Sequence, residues 1–430
     1  MIGRMKTDSR FACLFAAALL TAGCASPSVS GNAAEQVKST QPVFVSTEAD
    51  GSVVRSDKGT QRATIVWEAP GPVALPSVPL GKRPRNIIMI IGDGMGFGAR
   101  ELASLRCHGR CEALCMDRLP HAAIVTTHSL NSQRTDSTAA GTALATGHKT
   151  NNRMMSVVPV PGATNEVVSI ATLAHRAGKG IGLLTSDYMA SATPGVFYAH
   201  NSDREATDAI IRDLAGCGFE VFYGNDATIK AFRENQVTGT DLEAEMKARG
   251  VVFTQTHEDF LAAARKPGAK VVGHVPNAEF MTAAGRPKIL GEALEATLEN
   301  LSANPSGFFI MAESCNPDHG GHGFEGEKAM ELDVLGTIQC DWLAKVALEF
   351  AAPRGDTLVL VLADHETGAI LAARGTEDPE PAIYHGEGGH TGTPIPLTAY
   401  GPGSELFTGL LDNTDVPRLL AHLWGYRLDP

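Results

Sequence analysis

The chain has 430 residues, a length that allows one large domain or about three of ordinary size. Hydrophobic residues make up 43% and charged residues 20%, so the chain can build a folded core and is not disordered. The net charge of -12 at pH 7 argues against a nucleic-acid-binding protein, because no basic surplus is available to neutralise backbone phosphates.

The first 23 residues have the pattern of an export signal. Basic residues precede an apolar stretch at 11–20, which is too short to span a bilayer and is followed by Ala22-Gly23-Cys24. These three residues resemble the lipobox of bacterial lipoproteins, in which the cysteine carries the lipid. We therefore expect a lipoprotein-type signal peptide at 1–23 and export to the periplasm or cell envelope, with a membrane anchor at Cys24. An ordinary cleaved secretory signal is the alternative.

Residues 24–85 are rich in Ser, Thr, Pro and Gly, a composition that predicts a tether. Two strand-like patches, Val43 to Ser46 and Ala63 to Trp67, would allow one hairpin within it.

From 86 to 430, short apolar runs of strand length alternate with longer helical patterns. This alternation predicts an α/β domain, a three-layer sandwich with a central, mostly parallel sheet and helices on both faces. The predicted strands are Asn86 to Ile91, Ala122 to Thr127, Gly180 to Thr185, Gly218 to Tyr223, Gly307 to Ala312, Thr357 to Leu362 and Ile395 to Tyr400. The predicted helices are Ser137 to Thr146, Ser169 to Ala177, Ala206 to Ala215, Asp241 to Ala248, Leu290 to Leu301 and Lys328 to Phe350.

Polar side chains with metal-binding or charged groups follow four of these strands. They are Asp93, Thr193 with Arg204, Glu313, and Asp364 with His365. Because ligands bind at the carboxyl ends of the strands in open α/β sheets, we expect these side chains to converge in one crevice. Taken singly, each is also compatible with an ordinary turn or a structural ion pair.

The ten residues from Glu313 to His322 contain two carboxylates and two imidazoles in what we expect to be a loop. Asp318 and His322 are four residues apart and could close on one ion, and a mixed oxygen and nitrogen set suits zinc. A solvated polar loop is the alternative for this segment.

Two further residues, His390 and Ser137, each have two interpretations. His390 lies among glycines before the last predicted strand, and it belongs either to an open site or to the surface. Ser137 follows Asp136 at a helix start, where it is either part of an ordinary cap or placed to meet a phosphate.

Six cysteines remain outside the signal peptide and position 24, an even number that permits disulfides in an exported protein. Cys107, Cys111 and Cys115 are four residues apart, so on one helix they would share a face. We favour a disulfide or buried thiols over a metal cluster, because no histidine or carboxylate lies at suitable spacing.

Taken together, the motifs resemble those of the alkaline phosphatases, which are metal-dependent phosphomonoesterases. The resemblance covers the chain from Asn86 to the C-terminus and rests on the motifs D-G-M-G, D-S-T-A-A-G-T-A, A-T-P followed by H and R, E-x4-D-x3-H, A-D-H-E-T-G and G-H-T-G. It implies hydrolysis of small phosphate monoesters to inorganic phosphate by a monomer or homodimer that does not bind nucleic acid. The segment 224–305 matches the family least and could shape access to the cleft.

The resemblance also implies a role for each matching residue. Ser137 would be the nucleophile that is phosphorylated, and Arg204, oriented by Asp136, would hold two phosphate oxygens. Two zinc ions and one magnesium ion are implied as cofactors. The implied ligands are Asp318, His322 and His390 for the first zinc, Asp93, Asp364 and His365 for the second, and Asp93, Thr193 and Glu313 for the magnesium. Ser191 and His319 depart from one bacterial branch of the family, which has Asp and Lys at these positions, so the role of that pair does not carry over.

Other activities are compatible with parts of this pattern. A phosphodiesterase or sulfatase of the same superfamily is the nearest alternative, although no sulfatase motif surrounds Ser137 and Arg204 is not expected in a diesterase. A catalytically silent lipoprotein that binds metal or phosphate is a second alternative.

Overall fold

The computed structural model describes residues 60–61, 66–280, 285–324, 326–374, 381–384 and 388–428, all of which belong to one compact unit at 42–430. The predicted signal peptide, Cys24 and the patch from Val43 to Ser46 lie outside the described residues. Within the part of the chain that the structure describes, no helix is long and apolar enough to cross a membrane.

A ten-stranded sheet forms the centre of the fold. Its strands, numbered in chain order, are β1 (Asn86–Gly92), β2 (His121–Thr126), β3 (Gly180–Tyr188), β4 (Val221–Asn225), β5 (Val252–Thr254), β6 (Val271–Val275), β7 (Phe308–Ser314), β8 (Thr357–Ala363), β9 (Ile395–Tyr400) and β10 (Gly409–Asp412). Across the sheet they lie in the order β10, β2, β9, β8, β1, β7, β3, β4, β6, β5. Strand β9 is antiparallel to both neighbours, and the other pairs are parallel.

Helices cover both faces of this sheet. They are α1 (Phe97–His108), α2 (Ser137–Thr146), α3 (Ile170–Arg176), α4 (Ala192–Gly195), α5 (Thr207–Cys217), α6 (Ile229–Arg233), α7 (Leu242–Ala248), α8 (His257–Ala264), α9 (Ile289–Leu301), α10 (Asn316–Gly321), α11 (Ala329–Ala351) and α12 (Asp415–Trp424). Helices α1, α9, α10 and α11 pack in one layer, and α2, α3, α4 and α12 pack in the other. The predicted α/β sandwich with a mostly parallel sheet is therefore confirmed.

Short elements complete the fold. Single 3-10 turns are Cys115–Arg118, Asp226–Thr228, Asn277–Glu279, Gly326–Lys328 and Ser404–Leu406. Small antiparallel pairings join Thr60–Gln61 and Leu371–Arg374 to Pro381–Tyr384, Val157–Val160 to Ala163–Glu166, and Glu366–Thr367 to His390–Thr391. The last of these pairings places His390 beside the chain that follows β8.

All seven predicted strands and all six predicted helices are present, with ends shifted by a few residues. Strands β1, β7 and β8 are buried along their whole length. Burial on both faces explains their near-continuous apolar sequences, which made them recognisable. The segment 224–305 extends the sheet by β5 and β6 at one edge, and its influence on the cleft stays a prediction.

The described part of the predicted tether lies against the domain. Trp67, Val73 and Leu75 are partly buried and pack on the core. The Trp342 indole N–H donates to the Glu68 carbonyl at 2.8 Å. Residues 66–85 are thus in contact with the globular fold, as is the paired Thr60–Gln61, while the tether character of the rest of 24–85 stays a prediction.

The three evenly spaced cysteines do not share a helix face. Helix α1 contains Cys107 and ends at His108, Cys111 lies in the following turn, and Cys115 begins a 3-10 turn. The left-handed Gly109, at φ +67°, ends the helix because glycine adopts this conformation without steric cost. All six described cysteines are free thiols.

Candidate functional site

Adjacent parallel strands bring the predicted carboxylates to one edge of the sheet. Asp93 and Asp364 directly follow β1 and β8, and Glu313 lies one residue before the end of β7, the other neighbour of β1. The Gly94 N–H donates to Asp364 Oδ1 at 3.1 Å and joins two of these loops. Gly94 has φ +71°, and a Cβ there would lie 2.7 Å from the Cα of Asp318, so only glycine allows this close approach. The predicted convergence at the carboxyl ends of the strands is therefore present.

Asp318, His322 and His390 form a first cluster of possible metal ligands. The segment that the sequence analysis expected to be a loop is the short helix α10, so Asp318 and His322 lie one helical turn apart. His322 Nε2 lies 3.4 Å and His390 Nε2 3.2 Å from Asp318 Oδ1, and the two ring nitrogens are 3.1 Å apart. These separations match atoms that could surround one ion.

Backbone carbonyls orient both rings of the first ligand cluster. His390 Nδ1 lies 2.7 Å from the Thr135 carbonyl, and His322 Nδ1 lies 3.1 Å from the Gly388 carbonyl. A proton held on Nδ1 by such a carbonyl leaves Nε2 as the lone-pair nitrogen that faces the cluster. Burial opposes the charged form of His390, but the hydrogen bond to Asp318 raises its pKa above the ordinary value.

Asp93, Asp364 and His365 form a second cluster of possible metal ligands, and Asp318 of the first cluster also lies within reach of Asp93 and His365. His365 Nε2 lies 3.3 Å from Asp93 Oδ1 and 3.2 Å from Asp364 Oδ2. Burial raises the pKa of Asp93 well above its ordinary value, and the charge of Asp364 raises it further. Burial together with the charge of Asp318 raises the pKa of Asp364 to about 6. Burial and the neighbouring His390 lower the pKa of His365, which keeps the ring in the neutral form that binds metals.

Glu313 and Thr193 lie at the same edge of the sheet. Glu313 is buried at the end of β7, and its Oε2 accepts a hydrogen bond from the Thr185 hydroxyl at 2.5 Å. Burial raises the pKa of Glu313 to about 8. Its charge also raises the pKa of Asp93. Thr193, on the short helix α4, has a buried hydroxyl without a hydrogen-bond partner.

Ser137 and Arg204 face this group from the α2 side. Ser137 is the first residue of α2, and its Oγ lies 3.1 Å from His365 Nε2. Asp136 caps the helix by accepting the Ala139 N–H at 2.9 Å. Its other carboxylate oxygen accepts from the Arg204 guanidinium at 3.1 Å. One carboxylate therefore links the N-terminus of α2, where Ser137 lies, to the Arg204 guanidinium.

The residues present fit divalent cations. Asp93 Oδ1, Thr193 Oγ1 and Asp364 Oδ2 are buried side-chain oxygens without a hydrogen-bond partner. Leaving such atoms unpaired is costly, and several carboxylates in one buried place repel one another unless a cation neutralises them. Mixed aspartate and histidine donors suit zinc, whereas a set of oxygen donors suits magnesium.

Two residues that contact the proposed ligands were not predicted from the sequence, Thr367 and Phe324. The Thr367 hydroxyl donates to Asp318 Oδ1 at 2.6 Å and lies 3.1 Å from His365 Nδ1, so it links the two clusters. Its position in the motif A-D-H-E-T-G was the available signal. Phe324 is 53% exposed and stacks on the His322 ring at 5.9 Å, at the rim of the site.

Positions 191 and 319 depart from one bacterial branch of the family, and neither side chain belongs to the two ligand clusters. The Ser191 hydroxyl donates to Asp187 Oδ2 at 2.6 Å. His319 Nδ1 lies 3.9 Å from Cys315 Sγ. Both residues therefore contact side chains outside these clusters, Asp187 and Cys315.

A separate apolar groove of about 670 Å³ lies near α1 and β2. Phe97, Ile124 and Leu410 are among the residues that line it, and none of the predicted site residues does so. The candidate site is thus distinct from this groove.

Comparisons with known sequences agree with the motifs. The alkaline phosphatase family model matches residues 84–217 and 211–385. Alkaline phosphatase H of Pseudomonas aeruginosa is 29% identical, over 78% of this chain and 84% of that protein. The tissue-nonspecific alkaline phosphatase of the rat is 28% identical, and the match covers 65% of this chain and 63% of that enzyme.

Comparisons with solved structures identify the same family. Alkaline phosphatase from the Antarctic bacterium TAB5 has a TM-score of 0.69 and 26% identity, over 80% of this chain and 99% of that chain. A variant of the TAB5 enzyme was solved with magnesium bound in its M3 site, and it matches with the same TM-score of 0.69. This chain belongs to the alkaline phosphatase family.

Proposed function

We propose that this chain hydrolyses phosphate monoesters through a phosphoserine intermediate on Ser137, at a site for two zinc ions and one magnesium ion. Membership of the alkaline phosphatase family supports phosphate monoester hydrolysis in general. The observation that carries the finer proposal is the position of the Ser137 hydroxyl. It lies 3.1 Å from His365 Nε2, at the start of α2 and beside the two ligand clusters.

Ser137 and Arg204 would perform the phosphoryl transfer. The Ser137 Oγ loses its proton and forms a bond to phosphorus while the phosphorus–oxygen bond to the alcohol breaks, and the alcohol leaves with a proton. Water then attacks phosphorus and breaks the bond to Oγ, which regains a proton as inorganic phosphate is released. The N-terminus of α2 favours an anion, because its free backbone N–H groups and its dipole point toward the phosphate. The planar fork of Arg204 can hold two phosphate oxygens while Asp136 fixes its orientation.

Three ligand sets are proposed for the ions. They are Asp318, His322 and His390 for the first zinc, Asp93, Asp364 and His365 for the second, and Asp93, Thr193 and Glu313 for the magnesium. When bound, these ions supply charge neutralisation on phosphate oxygens and make a serine hydroxyl more acidic. The unpaired buried oxygens of Asp93, Thr193 and Asp364 support cation binding at these sets. The magnesium bound in a TAB5 variant supports magnesium as one of the ions.

The experiment that tests the nucleophile is hydrolysis of a chromogenic phosphate monoester at alkaline pH by protein loaded with zinc and magnesium. Ser137→Ala should lower kcat by more than about a thousandfold, because removing a covalent nucleophile costs orders of magnitude in rate. His200→Ala is the matched control, since His200 Nε2 contacts the Val167 carbonyl at 3.1 Å and not a proposed ligand, and it should keep most of the activity. Near-wild-type turnover by Ser137→Ala would overturn the assignment.

The same preparation distinguishes the alternatives. A chelator should abolish turnover, and zinc with magnesium should restore it. Faster hydrolysis of a phosphate diester or a sulfate ester would favour the diesterase or sulfatase alternative. No turnover of any ester by the fully loaded protein would favour a silent metal-binding or phosphate-binding lipoprotein.

We also propose export to the cell envelope with a lipid anchor on Cys24. The support is the apolar stretch at 11–20 followed by Ala22-Gly23-Cys24. Wild-type protein expressed in bacteria should incorporate a labelled fatty acid and sediment with membranes. Cys24→Ser should do neither, and membrane-bound, labelled Cys24→Ser protein would contradict the anchor.

A further inference from the structure

A third group of potential ligands lies outside the proposed zinc and magnesium sets. It consists of Asp187, Cys315 and His319, and one ligand atom from each lies within 4.8 Å of the others. Asp187 lies near the end of β3, Cys315 directly precedes α10, and His319 is within α10. Asp187 and Cys315 are buried, whereas His319 is half-buried, so the group is open on the side of the imidazole.

Two of these atoms have nearly the spacing of neighbouring ligands on a tetrahedrally coordinated ion. Cys315 and His319 are four residues apart, and Sγ lies 3.9 Å from Nδ1. Zinc bonds of about 2.3 Å to sulfur and about 2.0 Å to nitrogen place such atoms roughly 3.5 Å apart. A shift of a few tenths of an ångström would therefore complete the contact.

Hydrogen bonds fix the carboxylate and the thiol. Asp187 accepts the Tyr188 N–H at 2.8 Å and the Ser191 hydroxyl at 2.6 Å, one on each oxygen. Both donors are neutral, so they orient the carboxylate without balancing its charge. The Ser186 hydroxyl accepts the Cys315 N–H at 2.9 Å and lies 3.1 Å from Sγ, where its proton can stabilise a thiolate. Such outer contacts are typical of metal ligands.

We propose that Asp187, Cys315 and His319 bind a further transition-metal ion of the zinc class. A thiolate with an imidazole and a carboxylate suits zinc and excludes magnesium, which requires oxygen donors. Three protein ligands leave a fourth position for water. The ion would join the end of β3, which leads to Thr193, to α10, which carries Asp318 and His322. This proposal does not depend on the hydrolytic activity of the protein.

Cobalt(II) provides a test because it occupies zinc sites and absorbs strongly in the near ultraviolet only when a thiolate is bound. None of the other proposed ligands is a cysteine. We expect thiolate-to-cobalt absorption from the metal-free protein titrated with cobalt(II) in the presence of magnesium, saturating at one thiolate-bound ion per chain. Cys315→Ala should lose this absorption. Cys111→Ala, which removes an exposed thiol outside the group, should keep it.

A second variant keeps the test informative if the buried Cys315 cannot be replaced without loss of folding. His319→Ala retains the thiol, removes a half-buried ring, and should weaken cobalt binding at the thiolate by at least about tenfold. Thermal unfolding and circular dichroism check that each variant is folded. Absorption that persists in Cys315→Ala, unchanged affinity in His319→Ala, or no thiolate absorption in saturated wild-type protein would each overturn the site.

Discussion

Asp136 connects the proposed nucleophile with the proposed phosphate-binding arginine. Oδ1 accepts the Ala139 N–H at 2.9 Å and caps α2. Oδ2 accepts the Arg153 N–H at 3.0 Å and the Arg204 guanidinium at 3.1 Å. Arg153 has φ +74°, an uncommon backbone conformation for a residue other than glycine, which directs its N–H to this carboxylate. One side chain thus fixes both the start of the helix and the orientation of the arginine.

Two substitutions at Asp136 should separate these roles. Asp136→Asn keeps an oxygen for the Ala139 N–H but loses the negative charge, so the inhibition constant of inorganic phosphate should rise about tenfold. Asp136→Ala should show the same weakening and should lose a further ~1 kcal/mol of unfolding free energy, because the cap is gone. Phosphate inhibition and urea unfolding measure the two effects.

The control for this pair is Asp203→Asn, an exposed carboxylate that pairs with Arg153 at 3.0 Å. Exposed ion pairs contribute little, so this variant should resemble wild type in both measurements. Equal stability of Asp136→Asn and Asp136→Ala would show that the carboxylate does not act as a cap.

At the scale of elements, the burial and the length of a strand determined whether it could be predicted from the sequence. Strands β1, β7 and β8 are long and wholly buried, so their apolar runs and the polar residues after them were recognisable. Strand β5 has only three residues, and β10 is largely exposed, so neither has a distinctive pattern. Strand β6 is continuous and fully buried, but Gly273 and His274 break its run of apolar residues, so its sequence does not resemble that of a buried strand.

The packing around β6 explains these two residues. A Cβ on Gly273 would lie 2.6 Å from the Phe260 ring, so glycine is required by a neighbouring helix and not by the strand. In the candidate site, likewise, the motifs predicted residues that meet in the structure, whereas Thr367 and Asp187 acquire their contacts with Asp318 and Cys315 only when segments distant in sequence meet. Periodicity and local motifs do not carry such tertiary information.

His274 should make the protein sensitive to mild acid. Its ring is 1% exposed between Phe232 and Phe253, and neither ring nitrogen has a hydrogen-bond partner. Burial lowers its pKa from 6.5 to about 4, with Arg233 lowering and Glu243 raising it. The unfolded chain therefore binds a proton at higher pH than the folded chain does. The stability that neutral His274 contributes is present above pH 6.5 and is lost as the pH falls through about 4.

His274→Phe removes the titrating group and keeps an aromatic ring in the pocket. Between pH 6.5 and pH 4, wild-type protein should lose about 3 kcal/mol of unfolding free energy relative to this variant. Urea unfolding of both proteins across this range measures the difference. Parallel pH profiles would show that His274 is not responsible for the acid sensitivity.

At the scale of the whole molecule, the fold joins residues that are far apart in sequence. The proposed ligands extend from Asp93 to His390, and they meet because β8, β1 and β7 are adjacent in the sheet.

The segment 66–85, which precedes the first strand of the sheet, also packs on the domain. Trp67, Val73 and Leu75 pack on the core, and the Tyr400 hydroxyl donates to the Pro76 carbonyl at 3.2 Å. Composition alone indicated a tether here, because irregular segments that are rich in proline and glycine resemble linkers even when they are packed.

Two truncations should locate the true boundary of the domain. A chain that lacks residues 1–65 loses the two-residue pairing of Thr60–Gln61 with Pro381–Tyr384 but retains Trp67, Val73 and Leu75, so its urea midpoint should fall only slightly below that of the protein without its signal peptide. A chain that lacks residues 1–85 loses these contacts and the hydrogen bond from Trp342 to the Glu68 carbonyl. Full burial of one large apolar side chain contributes roughly 1.5–3 kcal/mol, so losing three partly buried ones should cost about 3 kcal/mol or more of unfolding free energy. Equal midpoints for the two truncated chains would instead place residues 66–85 in the tether, because contacts that stabilise the fold cannot be removed without lowering the midpoint.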